Sequence, residues 1–209
     1  MSEIKDKSIH VFLDQLASKS PTPGGGSVSA LMGAQAAALV SMVCNLTIGK
    51  EKYAPVENEM IALLKQSEAL RERLMGLIAA DVDTFNGLMA AYGLPKETDT
   101  EKLNRSAAIQ EALKKAPQVP LECARACAAV IKLTQSAANH GNVAVISDAG
   151  AAVMSAYGGL KSAALNVYIN TSSLKDGEFV SATLQDLESL SKGIDVLVEE
   201  VYQTVRGKL

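Results

Sequence analysis

The stretch Pro21-Thr22-Pro23-Gly24-Gly25-Gly26-Ser27 opens a run, extending to Gly49, that contains no charged residue. The prolines stiffen the start of this loop, and the glycines leave its end without side chains. A helix buried on all sides is predicted to begin at or near Ser27. Free backbone N–H groups at such a helix start favour an anion or a ligand that touches backbone. A serine-capped turn is the alternative, but three consecutive glycines exceed what a cap requires.

The rest of the chain also indicates helices, because apolar residues recur at helical spacing and no alternating strand pattern is convincing. Residues 55–92 predict one long helix that should bend or break, and residues 98–101 form a capping-box pattern. Gly158-Gly159 predicts an interruption, and a last helix is expected over 178–206. We therefore predict an all-α fold, one domain over residues 1–209 with about seven or eight helices. Its small-residue helices are expected in the core and at a dimer interface.

Composition limits the partners. The formal net charge is −3 and no basic block occurs, which argues against a nucleic-acid partner. The apolar run over 28–48 is long enough to span a bilayer, but polar residues recur within it, so we expect burial inside protein and no membrane partner. Three cysteines and no secretory signal favour a cytoplasmic location. Cys123 and Cys127 share a helix face without a histidine at ligand spacing, so we predict inert thiols and no metal site.

Asp148 is the only acidic residue between Leu133 and Leu174. A lone carboxylate in an apolar segment is costly to bury unless it is paired or used, although an acid in a first helical turn is also ordinary. Asn166 and Asn170 are four residues apart and share a helix face. Their amides suit a heterocycle with mixed donor and acceptor edges, or the satisfaction of buried backbone.

Other polar candidates lie on the long helix and just before it. Asp81 and Asp83 interrupt an apolar segment and face different directions. Asp83 is favoured to face a site and Asp81 could be solvated, although a solvated face is the alternative for both. Lys50, Lys52 and Tyr53 follow the uncharged helix and could meet an anionic ligand, or could be a solvated connector.

Several known site patterns do not occur. The glycine loop lacks the lysine of a phosphate-binding P-loop, no dinucleotide fingerprint follows a strand, and no serine has a plausible histidine partner. Acid–base chemistry by carboxylates and lysine remains, with backbone and asparagine for binding.

Five segments, taken in order, resemble one known family. They are residues 21–27, Asn45-Leu46-Thr47 with Lys52-Tyr53, Leu94-Pro95-Lys96, Gly141-Asn142 through Ser147-Asp148, and Asn166 through Asn170. This series is similar to the cyclodeaminase/cyclohydrolase family that forms the C-terminal half of formiminotransferase-cyclodeaminase. The resemblance runs from about residue 9 to residue 205.

The resemblance implies an all-helical, homodimeric enzyme of one-carbon metabolism that binds a tetrahydrofolate derivative as substrate near the glycine loop, with no prosthetic group. We expect Asp148 and Asp83 to act as base and acid or to stabilise the substrate cation, with Lys50 or Lys52 donating a proton or binding the glutamate tail. The residues expected to bind substrate are Pro23, Gly24, Gly25, Gly26, Ser27, Tyr53, Asn142, Asn166 and Asn170.

Two reactions fit the resemblance, together with one non-catalytic alternative. The 209 residues include no formiminotransferase half, which favours hydrolysis of 5,10-methenyltetrahydrofolate to 10-formyltetrahydrofolate. The alternatives are a formiminotetrahydrofolate cyclodeaminase that releases ammonia and a helical module that binds folate without turnover.

Overall fold

The computed structural model of this chain describes residues 6–209 and forms, within them, eight α-helices and no strand. The helices are α1 (Ile9–Leu16), α2 (Gly25–Asn45), α3 (Glu57–Tyr92), α4 (Asp99–Lys115), α5 (Gln118–His140), α6 (Ile146–Thr171), α7 (Gly177–Ser191) and α8 (Ile194–Arg206). Short 3-10 segments, Glu51–Val56 and Val143–Val145, precede α3 and α6. The predicted all-α class and helix number are confirmed.

The uncharged helix α2 packs between α3 and α6 and supplies much of the core, but it is not buried on all sides as predicted, because Gln35, Ala38 and Met42 are exposed along one face. Small residues allow this close approach. A Cβ atom on Gly33 would lie only 2.7 Å from Sγ of Cys127 on α5, and one on Gly159 would lie 3.0 Å from the carbonyl oxygen of Ser29. The glycines on α2 and α6 therefore set how near the neighbouring helices can come.

Helices α2 and α6 run antiparallel. The start of α2 lies beside the end of α6, since a Cβ on Gly25 would contact the amide of Asn166. The segment after α2 meets the segment before α6, where Asn142 Nδ2 donates to the Leu46 carbonyl oxygen over 2.8 Å. Each end of this helix pair thus gathers polar residues from both helices.

Two details of the predicted helices are wrong. Gly158-Gly159 does not interrupt α6, because these glycines accommodate neighbouring side chains within a continuous helix. The helix predicted over 178–206 divides into α7 and α8 at Gly193, whose φ of 75° suits glycine. The long helix α3 is continuous for 36 residues. The capping box between Thr98 and Glu101 is confirmed.

The cysteines and the long apolar helices bear on compartment and membrane contact. Cys44, Cys123 and Cys127 are all buried and free. Three helical stretches are long and apolar enough to cross a membrane by length and composition alone: Gly25–Asn45, Glu51–Tyr92 and Val143–Thr171. The first of these is the central helix of the core.

Candidate active site

A cavity of about 150 Å³ lies where α2 begins, beside the middle of α3 and the end of α6. Its lining combines backbone from the proline–glycine loop with one carboxylate, two asparagines and an apolar wall. The lining residues are Pro21, Thr22, Gly24, Gly25, Gly26, Asp81, Thr84, Phe85, Leu88, Ala116, Asn166 and Asn170.

The glycines of the loop let α2 begin directly against the neighbouring side chains. Gly24 caps α2 in an extended conformation, and no side chain caps the helix. A Cβ atom on Gly26 would lie 2.0 Å from Oδ1 of Asp81, so any side chain there would have to displace the carboxylate. A Cβ on Gly25 would lie 3.3 Å from Nδ2 of Asn166, a tight but less severe contact. The loop thus brings backbone to the carboxylate and the amide.

Asp81 is the carboxylate of the cavity. The Ser27 hydroxyl donates a 2.9 Å hydrogen bond to Asp81 Oδ2. Burial raises the pKa of Asp81, and hydrogen bonds from the Ser27 side chain and backbone partly offset that rise. A carboxyl group with a raised pKa is suited to take and return a proton near neutral pH.

Sequence analysis favoured Asp83 over Asp81 to face a site, and the structure shows the reverse. Asp83 is exposed and lies in open grooves beside the cavity, whereas Asp81 lines the cavity itself. The helical period carries the signal: Asp81 follows buried Leu74 and Ile78 by seven and three residues. These spacings put Asp81 on the inward face of α3, two positions from a residue that must point elsewhere.

Asn166 and Asn170 both line the cavity from α6. Asn166 Nδ2 donates to the Ser162 carbonyl oxygen over 2.8 Å, and Asn170 Nδ2 donates to the Ala116 carbonyl oxygen over 3.0 Å. These bonds fix both amide groups, which leaves their side-chain oxygens as acceptors for a ligand N–H. Pro23 and Ser27, which were also expected to bind substrate, are buried and do not line the cavity.

A second polar group forms at the other end of α2. The Tyr53 hydroxyl donates to Asn142 Oδ1 over 3.3 Å and accepts from the Val143 backbone N–H over 3.1 Å. The bond from Val143 lowers the pKa of Tyr53, and the charges of nearby Lys52 and Lys50 act in the same direction. The Lys52 Nζ lies 5.4 Å from the centre of the Tyr53 ring.

Asn142 holds this second group together. Its side chain donates to Leu46 and accepts from Ala144, and its backbone N–H donates to Thr47 Oγ1 over 2.9 Å. The residue is buried. These bonds connect the segment after α2 to the segment before α6. The side chain of Asn142 therefore stabilises the fold at this point.

The sequence-predicted site residues therefore divide into two groups. The 21 residues of α2 separate the groups by about 30 Å. Asp148, in the first turn of α6, belongs with the lysine group, since 18 residues, or about 27 Å, separate it from Asn166. Among residues 6–209, no three or more His, Cys, Asp or Glu side chains come together as metal ligands would.

The comparisons with known proteins agree with the motif resemblance. Residues 8–189 match the family model described as formiminotransferase-cyclodeaminase. The chain is 55% identical over 204 residues to a methenyltetrahydrofolate cyclohydrolase of Methylorubrum extorquens, covering 98% of each protein. It is 34% identical to the formimidoyltransferase-cyclodeaminase of Rattus norvegicus, covering 88% of this chain and 34% of that protein.

A solved structure gives the same result for the fold. The formiminotetrahydrofolate cyclodeaminase of Thermotoga maritima superimposes with a TM-score of 0.83 and 32% sequence identity, covering 99% of this chain and 98% of that one. Fold, motifs and sequence identity agree over almost the whole length, and the chain belongs to the formiminotransferase-cyclodeaminase family.

Proposed function

We propose that this protein is a methenyltetrahydrofolate cyclohydrolase, which converts 5,10-methenyltetrahydrofolate and water to 10-formyltetrahydrofolate and a proton. The observation that carries the proposal is the half-buried Asp81 carboxyl in a cavity lined by glycine backbone and asparagine amides. The 55% identity to a protein of that name supports the choice of reaction.

The substrate needs little activation before water attacks. Its methenyl carbon joins N5 and N10 as an amidinium cation, which is already electrophilic. An ionised Asp81 would stabilise that cation and accept a proton from the attacking water as the new C–O bond forms. The adduct then collapses: the C–N5 bond breaks, its electron pair goes to N5, and protonated Asp81 returns the proton to N5. The remaining hydroxyl proton is released as the formyl C=O forms.

Binding is assigned to the groups around this carboxyl. The side-chain oxygens of Asn166 and Asn170 would accept from the pterin N–H groups, while backbone at Gly24 and Gly25 would lie against the ring. The apolar wall of Phe85 and Leu88 would exclude water from the far side of the ring. No step requires a prosthetic group.

The alternative is formiminotetrahydrofolate cyclodeaminase activity, favoured by the similarity to the Thermotoga maritima structure of that name. In that reaction N10 attacks the formimino carbon and ammonia leaves. A non-catalytic folate-binding module is the third possibility. We further propose a cytoplasmic homodimer; the buried, free cysteines fit a reducing compartment.

The test is a direct comparison of substrates. Purified protein is given 5,10-methenyltetrahydrofolate, and loss of its absorbance is followed against the uncatalysed rate. In parallel, ammonia release is measured from 5-formiminotetrahydrofolate. The proposal expects the first reaction to be much the faster. Ammonia release as the faster reaction would make the protein a cyclodeaminase, and tight binding without either reaction would leave a folate-binding module.

A further inference from the structure

Thr84 lies one helical turn after Asp81 on α3 and lines the same cavity. A threonine within a helix commonly donates its hydroxyl to a carbonyl oxygen about one turn earlier. Four other threonines of this chain do so: Thr134, Thr171, Thr183 and Thr204. The hydroxyl of Thr84 forms no such bond and has no other hydrogen-bond partner among residues 6–209. It is therefore available to a molecule in the cavity.

Asp81 and Thr84 are spaced to hold one water molecule between them. Residues three apart on a helix are neighbours, with Cβ atoms roughly 5–6 Å apart. A water that hydrogen-bonds to an oxygen of each side chain, over about 2.8 Å in each case, spans that gap. Because both residues belong to one continuous helix, their spacing does not depend on the conformation of a loop. The pair can therefore present a water to a reacting carbon in a fixed orientation.

A groove between α3 and α4 connects Thr84 to solvent. Thr84 and Leu88 line both this groove and the cavity, so the two spaces meet at these residues. Gly87 also lines the groove, and a Cβ atom on Gly87 would meet no other atom within 4 Å. The groove is thus open beside Thr84. Water can reach the hydroxyl of Thr84 from the groove while a substrate ring occupies the cavity.

The attacking water needs a second partner besides Asp81. A carboxylate oxygen accepts one O–H of the water and leaves the other O–H free to turn, which misaligns the lone pair that must attack. The amide oxygens of the two cavity asparagines are assigned to the pterin. The other residues of α3 in the lining, Phe85 and Leu88, are apolar. The hydroxyl of Thr84 is therefore the group on α3 that can accept the second O–H of the water.

We infer that Thr84 is a second catalytic residue, which holds the attacking water against Asp81 during hydrolysis of 5,10-methenyltetrahydrofolate. As the new C–O bond forms, Asp81 takes one proton of the water, and Thr84 Oγ1 accepts a hydrogen bond from the remaining O–H. That O–H becomes the hydroxyl of the adduct. When the C–N5 bond breaks and the formyl C=O forms, the hydroxyl proton passes to Thr84 Oγ1, and the proton that Thr84 carried passes to a water in the groove. The inference rests on the proposed function for the identity of the reaction.

Thr22 carries the other hydroxyl of the cavity lining and offers the competing arrangement. It lies in the loop before α2, and its backbone carbonyl oxygen accepts a 2.7 Å hydrogen bond from the hydroxyl of Ser20. The position of Thr22 relative to Asp81 is thus set by the packing of a loop against α3. The position of Thr84 is set by the helix that also carries Asp81, which makes Thr84 the better partner for a shared water.

Two substitutions at Thr84 separate a role for its hydroxyl from a role in packing. Valine keeps the shape of threonine without the hydroxyl, and serine keeps the hydroxyl in a smaller side chain. We expect kcat for hydrolysis to fall about 30-fold in Thr84→Val, the loss typical of one hydrogen bond to a charged reacting group, with KM changed by less than about twofold. Thr84→Ser should retain most of the wild-type kcat. The reverse order, with Thr84→Ser slow and Thr84→Val normal, would show a packing role and overturn the inference.

The pH profile and two control variants complete this test. The acid limb of kcat/KM should not move in Thr84→Val, because the hydrogen bonds that lower the pKa of Asp81 come from Ser27. Thr204→Val removes a helical threonine hydroxyl that donates to the Glu200 carbonyl oxygen, outside the cavity, and should leave kcat unchanged. Thr22→Val should lower kcat less than Thr84→Val does. A large loss in Thr22→Val, with Thr84→Val unaffected, would assign the water to Thr22 instead.

Failure of the role of Thr84 can be told apart from failure of the proposed function. Wild-type hydrolysis of 5,10-methenyltetrahydrofolate is measured first and tests the function alone. A wild-type protein without hydrolysis overturns the function and the role of Thr84 with it. Rapid hydrolysis by wild type and by Thr84→Val alike overturns the role of Thr84 and leaves the function intact. Rapid hydrolysis by wild type and Thr84→Ser, with slow hydrolysis by Thr84→Val, supports both.

Discussion

The hydroxyl of Ser27 and the carboxylate of Asp81 are joined by a 2.9 Å hydrogen bond across 54 residues of sequence. This bond connects the first turn of α2 to the middle of α3 and holds in place the carboxylate that lines the cavity. Gly26, next to Ser27, gives Asp81 the space to approach. The chemistry proposed for this protein depends on that local arrangement.

Removing the Ser27 hydroxyl should shift the pH dependence of hydrolysis. The hydrogen bond from Ser27 lowers the pKa of Asp81 and opposes the effect of burial. Ser27→Ala removes that bond, so the pKa of Asp81 should rise further and the base should be protonated at higher pH. The acid limb of log kcat/KM against pH is expected to move to higher pH. An unmoved limb would separate Asp81 from the titration that controls activity.

Side chains at the two central glycines should have unequal effects. The Cβ of Gly26→Ala would fall 2.0 Å from Asp81 Oδ1 and must displace the carboxylate, whereas that of Gly25→Ala would fall 3.3 Å from the Asn166 amide. We expect kcat to fall about 100-fold in Gly26→Ala, because a displacement near 1 Å misplaces the base. Gly25→Ala should mainly raise KM. Equal losses in steady-state kinetics would mean that the loop acts only as a turn.

Replacing Asp81 should alter stability in a pH-dependent way. Because burial raises its native pKa above the unfolded value, Asp81 contributes stability at low pH that is lost as pH rises through the native pKa. Asparagine cannot ionise and its Oδ1 can still accept from Ser27. The difference in Tm, Asp81→Asn minus wild type, should therefore become more positive from about pH 4 to about pH 7. A difference in Tm that is constant with pH would mean that burial does not destabilise the ionised carboxylate of Asp81.

The sequence predicted the fold better than it predicted the site. The uncharged helix, the capping box at Thr98 and the absence of strands follow from local patterns, which are fixed by residues close in sequence. The interruption predicted at Gly158-Gly159 was wrong because a glycine pair that breaks a helix and one that admits a neighbouring helix look identical in sequence. What distinguishes them is Cys127 and Ser29, which pack against Gly159 from other helices.

The choice between Asp81 and Asp83 also depended on tertiary packing that the local sequence does not show. Both aspartates lie in one apolar segment, and only the phase of α3, set by Leu74 and Ile78, turns Asp81 inward. The separation of Asn166 from Lys52 could not be predicted either. It depends on α2 and α6 running antiparallel, a tertiary relationship that no local pattern contains.

The central claim is that Asp81 is the acid–base group for hydrolysis of 5,10-methenyltetrahydrofolate. The most direct test is the rate of loss of methenyl absorbance catalysed by wild type, Asp81→Asn and Asp83→Asn under identical conditions. We predict rapid loss with wild type, a kcat reduced by at least about 100-fold in Asp81→Asn, and near-wild-type turnover in Asp83→Asn. Near-wild-type turnover in Asp81→Asn, with the same far-UV circular dichroism, would contradict the account.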